Sequence, residues 1–375
     1  MKKQQKPLCV AVEEEYQLVD SQSGELRPDC SAVIAALPTC EDDGIDIQHE
    51  LHLTQIEMAS PICQTLCDVQ TAVASARGRL ISAARTVGAE LVAAGTHPLS
   101  HQLADDVTPK ERYRSMSYRY QQIARDLVIF GCHVHVDMPN RELGVQVMNR
   151  VTPWLPALQA LTANSPFWGG ADTGYASYRR EMWVQWPMAG PPIWFADEAE
   201  HNRCVQDLVK CEAINDATRI YWDVRLPEKI PTIEFRVMDV LTRIDETVAI
   251  TGLIRALVDR LLEDIAAGRP APRPRPELIR VALWQAARYG LTDHLLDPIA
   301  CQQVTAAEHI ERLLEMGRDP LDKYGDHQQV TAVVHRMLEL GGGAARQRGF
   351  LRDHQWDQVM HHLAAETAIG TGTER

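Results

Sequence analysis

The chain has 375 residues, 45 % of them hydrophobic, enough for one large domain or two ordinary ones around a sizeable core. Its 51 Asp and Glu against 38 Lys and Arg give a net charge of −13, which argues against a nucleic-acid or anionic-membrane surface but leaves room for a local basic pocket for phosphates. Nine cysteines show no CxxC pair and no zinc-knuckle spacing at Cys63 and Cys67, so reduced thiols in the cytoplasm are expected.

The first residues, MKKQQKPLCVAVEEEY, lack the apolar stretch of a signal peptide. No run of about 18 apolar residues predicts a membrane span. Residues 8–19 alternate as a strand, and DSQSGEL reads as a turn into a second one. From Asp68, read as an N-cap, Val69, Val73, Ala76, Leu80, Ala84, Val87 and Leu91 recur at helical spacing. A short strand, LVAAG, follows. A second helix is predicted from Lys110 through QQIARDLVI, then a strand at FGCHVHVDM. A helical segment starts at Asn140 and is interrupted at Pro153 and Pro156. SPFWGGADTGYASYRR is a Gly- and Ser-rich loop whose 169–176 stretch is a candidate lid. IPTIEFRVMDV reads as a strand, and DETVAITGLIRALVDRLLEDIAAG as a long amphipathic helix ended by Gly268. RPAPRPRPEL, residues 269–278, reads as an extended connector. The expected organisation is a single catalytic domain over 1–375, with a sheet-bearing core over 8–268 and a helical C-terminal layer over 277–375.

The two-residue period of a strand sorts the charged positions. Glu13 and Glu15 point together, while Glu14 points away and is left out of any metal site. His133, His135 and Asp137 share a face in the next polar strand, as do Thr232, Glu234 and Arg236 in a third. A sheet wet on one side would give the same alternation. Glutamate, however, is depleted in strands, and carboxylates with imidazole but no thiolate are what Mg²⁺ or Mn²⁺ accepts. Glu50 and Glu57 are seven apart and would fall on opposite faces of a regular strand, so they share a site only across a bulge or turn. Cys132 faces away from His133, which makes it a structural thiol rather than a nucleophile. The GxG traces near Gly169 lack a strand-to-helix setting and predict no dinucleotide fold.

The stretches VEEEYQLVD, ELHLTQIEMASPIC, GCHVHVDMPN, SPFWGGADTGYASYR and TIEFRVMD, in this order, resemble the bacterial carboxylate–amine ligases of the glutamate–cysteine ligase type 2 family. The resemblance implies an α+β fold: a curved, mainly antiparallel sheet with flanking helices, like glutamine synthetase, with the active site on the concave face. It implies ATP and Mg²⁺ (or Mn²⁺) as cofactors and a carboxylate phosphorylated before an amine displaces phosphate, nominally joining glutamate to cysteine. By that resemblance Glu13, Glu15, Glu50, Glu57, His133 and Glu234 are metal ligands. Arg236 contacts the transferring phosphate, His135 the nucleotide or metal-bound water, and Arg179 is a phosphate or carboxylate clamp. The partners implied are small molecules and a second copy in a homodimer. Asp137 and Asn164 depart from the residues expected in relatives, glycine and serine, and put the substrate's identity in question. A metal-dependent hydrolase, a guanidino kinase and a non-catalytic metabolite-binding relative are the competing readings.

Overall fold

A computed structural model describes residues 7–38, 43–99 and 106–374. The basic residues at the extreme N-terminus, which entered the signal-peptide reading, lie outside that range. Seven strands form the main sheet: β1 Val10–Asp20, β2 Asp46–His49, β3 Gln55–Ala59, β4 Ala89–Val92, β5 Gly131–Asp137, β6 Val224–Arg225 and β7 Thr232–Asp239. Their order is β6-β7-β5-β1-β3-β2, with β4 also paired to β1, and every pairing is antiparallel. β1 is the axis of the sheet, because its eleven residues are shared among three neighbours.

One face of this sheet is apolar. Val12 and Tyr16 of β1, Cys132 and Val134 of β5, and Ile233 and Phe235 of β7 are fully buried in the main hydrophobic core. The helices Leu66–Thr86 and Ile244–Ala266 belong to the same core and pack on each other. The second of these is buried on nearly every side, because the C-terminal helices Ala306–Tyr324 and His327–Leu340 cover its outer face. Glu14, on the apolar face as alternation requires, is wholly buried and paired with Arg77 at 2.7 Å. Burial pushes the Cys132 thiol well above its ordinary range, which suits a structural residue. The cysteines among the described residues are all free thiols. No described helix is long and apolar enough to cross a membrane.

Several local expectations need correction. Asp68 is not the N-cap: Thr65 is, its hydroxyl accepting the Asp68 N–H at 3.1 Å while Asp68 accepts the Thr65 N–H at 2.9 Å. The turn after β1 leads to a single bridge between Val19 and Leu26 rather than a second strand. The helix expected from Lys110 breaks at Gln121, whose φ of 51° interrupts the ladder between Glu111–Tyr120 and Gln122–Asp126. Pro153 and Pro156 sit in the first turns of successive helical pieces, where a missing N–H costs little. The proline-rich connector ends at Arg275, because Pro276 starts the helix to Tyr289 in the same way.

Candidate active site

The opposite face of the sheet carries the acids. Strand pairing sets Glu13 beside His133, Glu15 beside Glu57, and Glu234 beside His135. Glu50 joins them through a turn, not a bulge: β2 and β3 form a hairpin in which the His52 N–H donates to Gln55 Oε1 at 2.9 Å. The bulge lies elsewhere, between Phe235 and Met238 of β7, next to Arg236. A bulge there turns the strand locally and aims the guanidinium along the site.

These elements enclose a cavity of about 350 Å³. Glu13, Glu15, Glu50, Glu57, His133, Arg179 and Arg236 line it. His135 and Glu234 stand behind that lining and reach it through their neighbours. Glu13 is the junction, with His133 Nδ1 at 3.1 Å and His135 Nε2 at 3.3 Å. Glu234 is held between Arg236 and Arg225, the latter at 2.6 Å. Two tight sets of ligand-capable atoms result, each within 4.8 Å: Glu13 with Glu57 and His133, and Glu13 with His135 and Glu234. Glu15 and Glu50 line the same cavity outside these two sets.

The electrostatics divide the acids. Burial opposes ionisation of Glu13, but hydrogen bonds from His133 and His135 hold it well below the usual carboxylate range. Burial also opposes ionisation of Glu234, and the charges of Arg236 and Arg225 overcome it. Glu15 is pushed up to about 7 by burial and then by Glu50. Glu57 is raised well above its ordinary value by burial and by Glu50, Glu13 and Glu15 together. Burial and the neighbouring Arg236 keep His133 neutral, at about 4. The site therefore crowds carboxylates so closely that Glu15 and Glu57 resist ionising, and it presents neutral imidazole beside them. That is the donor set of a cation site. The buried His133 Nε2 has no hydrogen-bond partner among the described residues, which fits a ligand position.

Arg179 approaches from the helix Tyr178–Trp183. Asp239 of β7 holds the start of that helix, accepting from Ser177 Oγ at 2.8 Å, Ser165 Oγ at 2.7 Å and the Asn164 N–H at 2.8 Å. Its carboxylate also lies 3.8 Å from Arg179. Gly131 leaves the space: a Cβ there would overlap the Arg179 guanidinium and come within 3.2 Å of His133 Nε2. The Gly131 N–H meanwhile donates to Glu15 at 2.6 Å. Gly131→Ala should therefore displace Arg179 and lower turnover by ~100-fold, the scale of a misplaced active-site group. Steady-state kinetics would check this, with circular dichroism expected to stay near the parent's.

Three features escaped the sequence reading. Arg225 sits on a two-residue strand with no alternation to read. Asp239 lies beyond the bulge, where the face assignment no longer holds. Trp183 and Trp186 flank the cavity from the end of the helix Tyr178–Trp183 and the turn that follows it. Residues 169–176, the candidate lid, do not line the cavity. Arg348 grips Asp172 at 2.6 Å and the Tyr175 carbonyl at 2.8 Å, which ties that stretch to the C-terminal helices. Asp137 accepts the Cys9 N–H at 2.8 Å, and Asn164 donates to the Val240 carbonyl at 2.8 Å, so neither departure is among the cavity's lining.

Comparison with known proteins identifies the family and the fold. Residues 9–366 match the model of glutamate–cysteine ligase family 2. A Rhodopirellula baltica protein provisionally named glutamate–cysteine ligase 2 is 50 % identical over 361 residues, covering 96 % of each chain. Among solved structures, glutamate–cysteine ligase from Francisella tularensis in complex with AMP aligns over 97 % of this chain and 90 % of its own, with TM-score 0.68 at 10 % identity. A bifunctional glutathione synthetase from Pasteurella multocida aligns over 98 % of this chain and 52 % of its own, with TM-score 0.69 at 13 % identity. The α+β, glutamine-synthetase-like architecture is shared with these ligases, and the chain belongs to glutamate–cysteine ligase family 2.

Proposed function

We propose that the chain is an ATP-dependent carboxylate–amine ligase that forms a γ-glutamyl amide, from glutamate and cysteine or another amine, through an acyl phosphate. In this reading Glu13, Glu15, Glu50, Glu57, His133 and Glu234 hold Mg²⁺ or Mn²⁺. The observation that carries it is the convergence of Glu13, Glu15, Glu50, Glu57 and His133, from three strands and a hairpin turn, on one cavity with Arg179 and Arg236, and of Glu234 on Glu13 behind it. Bound divalent ions would supply charge neutralisation between carboxylate and triphosphate and polarise the γ-phosphorus.

The protein's own groups do the rest. A carboxylate oxygen of the substrate attacks the γ-phosphorus and ADP leaves with the bridging oxygen. The amine nitrogen then attacks the acyl carbon, phosphate departs with the acyl oxygen, and the nitrogen loses its proton. Arg236, fixed against Glu234, offers a planar fork to charge on the transferring phosphoryl group. Arg179 clamps the carboxylate or phosphate from the opposite side. His135, its Nδ1 3.0 Å from Thr232 Oγ1 and its Nε2 3.3 Å from Glu13, would meet nucleotide or metal-bound water beside Glu13. The enclosing walls keep water from the acyl phosphate.

The same reading makes the enzyme a cytoplasmic homodimer acting on small molecules. Its test is stoichiometry: ADP release should require glutamate and Mg²⁺, and each ADP should appear with one amide when an amine is supplied. Equal turnover without amine, or a phosphorylated guanidino product, would instead identify a hydrolase or kinase.

A further inference from the structure

The cavity has a second wall of opposite chemistry. Facing the acids are Met116, Leu127, Ile129, Trp183, Trp186 and Tyr221, each less than a tenth exposed. They form an apolar cluster separate from the main core, on the charged side of the sheet. Trp183 and Trp186 stack with ring centres 6.3 Å apart, and Tyr221 stands edge-on to them at 5.6 and 6.0 Å. Triphosphate and glutamate, both anionic, gain nothing from such a surface. A hydrocarbon or aromatic group gains from every part of it taken out of water.

We infer, resting on the ligase reading above, that the acceptor is a primary amine carrying a bulky apolar or aromatic group seated against this wall. Arg179 and Trp183 lie four apart on one short helix, so the anion clamp and the apolar wall are delivered by the same face. An amine whose tail rests on Trp183 thus has its nitrogen beside the acyl group that Arg179 holds. The base of the nucleotide does not need this wall. A second cavity of about 660 Å³ opens on the far side of Arg225, lined by Ile220, Trp222 and Lys229, and offers space for a nucleoside. Cysteine, with one methylene and a thiol, covers little of the wall and is expected to be a poor acceptor.

The test uses the full chain with ATP, Mg²⁺ and glutamate, and methylamine, cysteine, isoamylamine, phenethylamine and hydroxylamine as acceptors. The kcat/KM should rise by at least ~100-fold from methylamine to phenethylamine, since one added methylene in an apolar pocket is worth ~10-fold or more and phenethylamine adds a methylene and a ring. Leu127→Ala and Met116→Ala should each lower the phenethylamine-to-hydroxylamine ratio by ~10-fold. Hydroxamate formation with a flat amine series would overturn this inference and leave the ligase reading standing. Variants that raise KM for ATP and keep the amine order unchanged would give the wall to the purine and overturn it too. Absence of amide or hydroxamate with every acceptor would remove the ligase reading itself.

Discussion

Glu15→Gln should reduce amide formation by about three orders of magnitude while leaving the chelator-treated protein at least as stable as its parent. The two effects have one cause. Glu15 is buried among Glu50, Glu57 and Glu13, and burial and the charge of Glu50 push it up to about 7. Glutamine keeps the shape and still accepts the Gly131 N–H, now held at 2.6 Å, but removes a negative charge that burial and Glu50 disfavour. The same charge is what a divalent ion would bind. Mg²⁺ should therefore raise the melting temperature of the parent more than that of the variant, by mass action. Thermal denaturation in EDTA and in excess Mg²⁺, beside an ADP-release assay, reads both halves. An active variant, or one that melts well below its parent in EDTA, would count against a cation site at this position.

Arg77→Ala should cost about 3–5 kcal/mol of stability, the scale of a buried ion pair left with one member. Arg77 donates to both oxygens of Glu14, at 2.7 and 3.0 Å, and to the carbonyls of Leu241 at 2.8 Å and Thr242 at 2.6 Å. Thr247 Oγ1 adds a hydrogen bond to Glu14 at 2.7 Å, and the Tyr16 hydroxyl another. Truncation would strand a carboxylate and two carbonyls inside a dry core. A double variant, Arg77→Met with Glu14→Leu, should recover most of the loss, since apolar replacement of both partners removes the uncompensated charge. Urea denaturation of the parent, single and double variants measures it. A single variant as stable as its parent would mean that Glu14 is solvated, contrary to its position.

These two glutamates are neighbours in sequence, and their opposite fates show what was legible there. A period of two needs no tertiary information, so it separated Glu13 and Glu15 from Glu14 and aligned His133 with His135. It also put Glu234 and Arg236 on a common face. It failed wherever the chain departs from a regular strand. Glu50 and Glu57 meet because a hairpin turn folds β2 onto β3, and local pattern carries no record of that. Arg225 and Asp239 lie on a strand too short to show a period and beyond a bulge, respectively. The family resemblance supplied Glu50, Glu57 and Arg179 but said nothing of the aromatic wall, whose residues come from a helix, a turn and a two-residue strand. At Thr65 the capping box is present in the sequence, and Asp68 is its last member rather than the N-cap.

The position of β1 has a consequence for synthesis. It leaves the ribosome before the other described strands of its sheet, yet it is clasped between strands made later, and Glu13 meets His133, 120 positions further along. Until β5 emerges, the Val10–Glu14 half of one edge has no strand to pair with. Productive folding therefore waits on translation past Asp137, and slow or paused elongation before that point would leave a nascent segment prone to sticking to its neighbours.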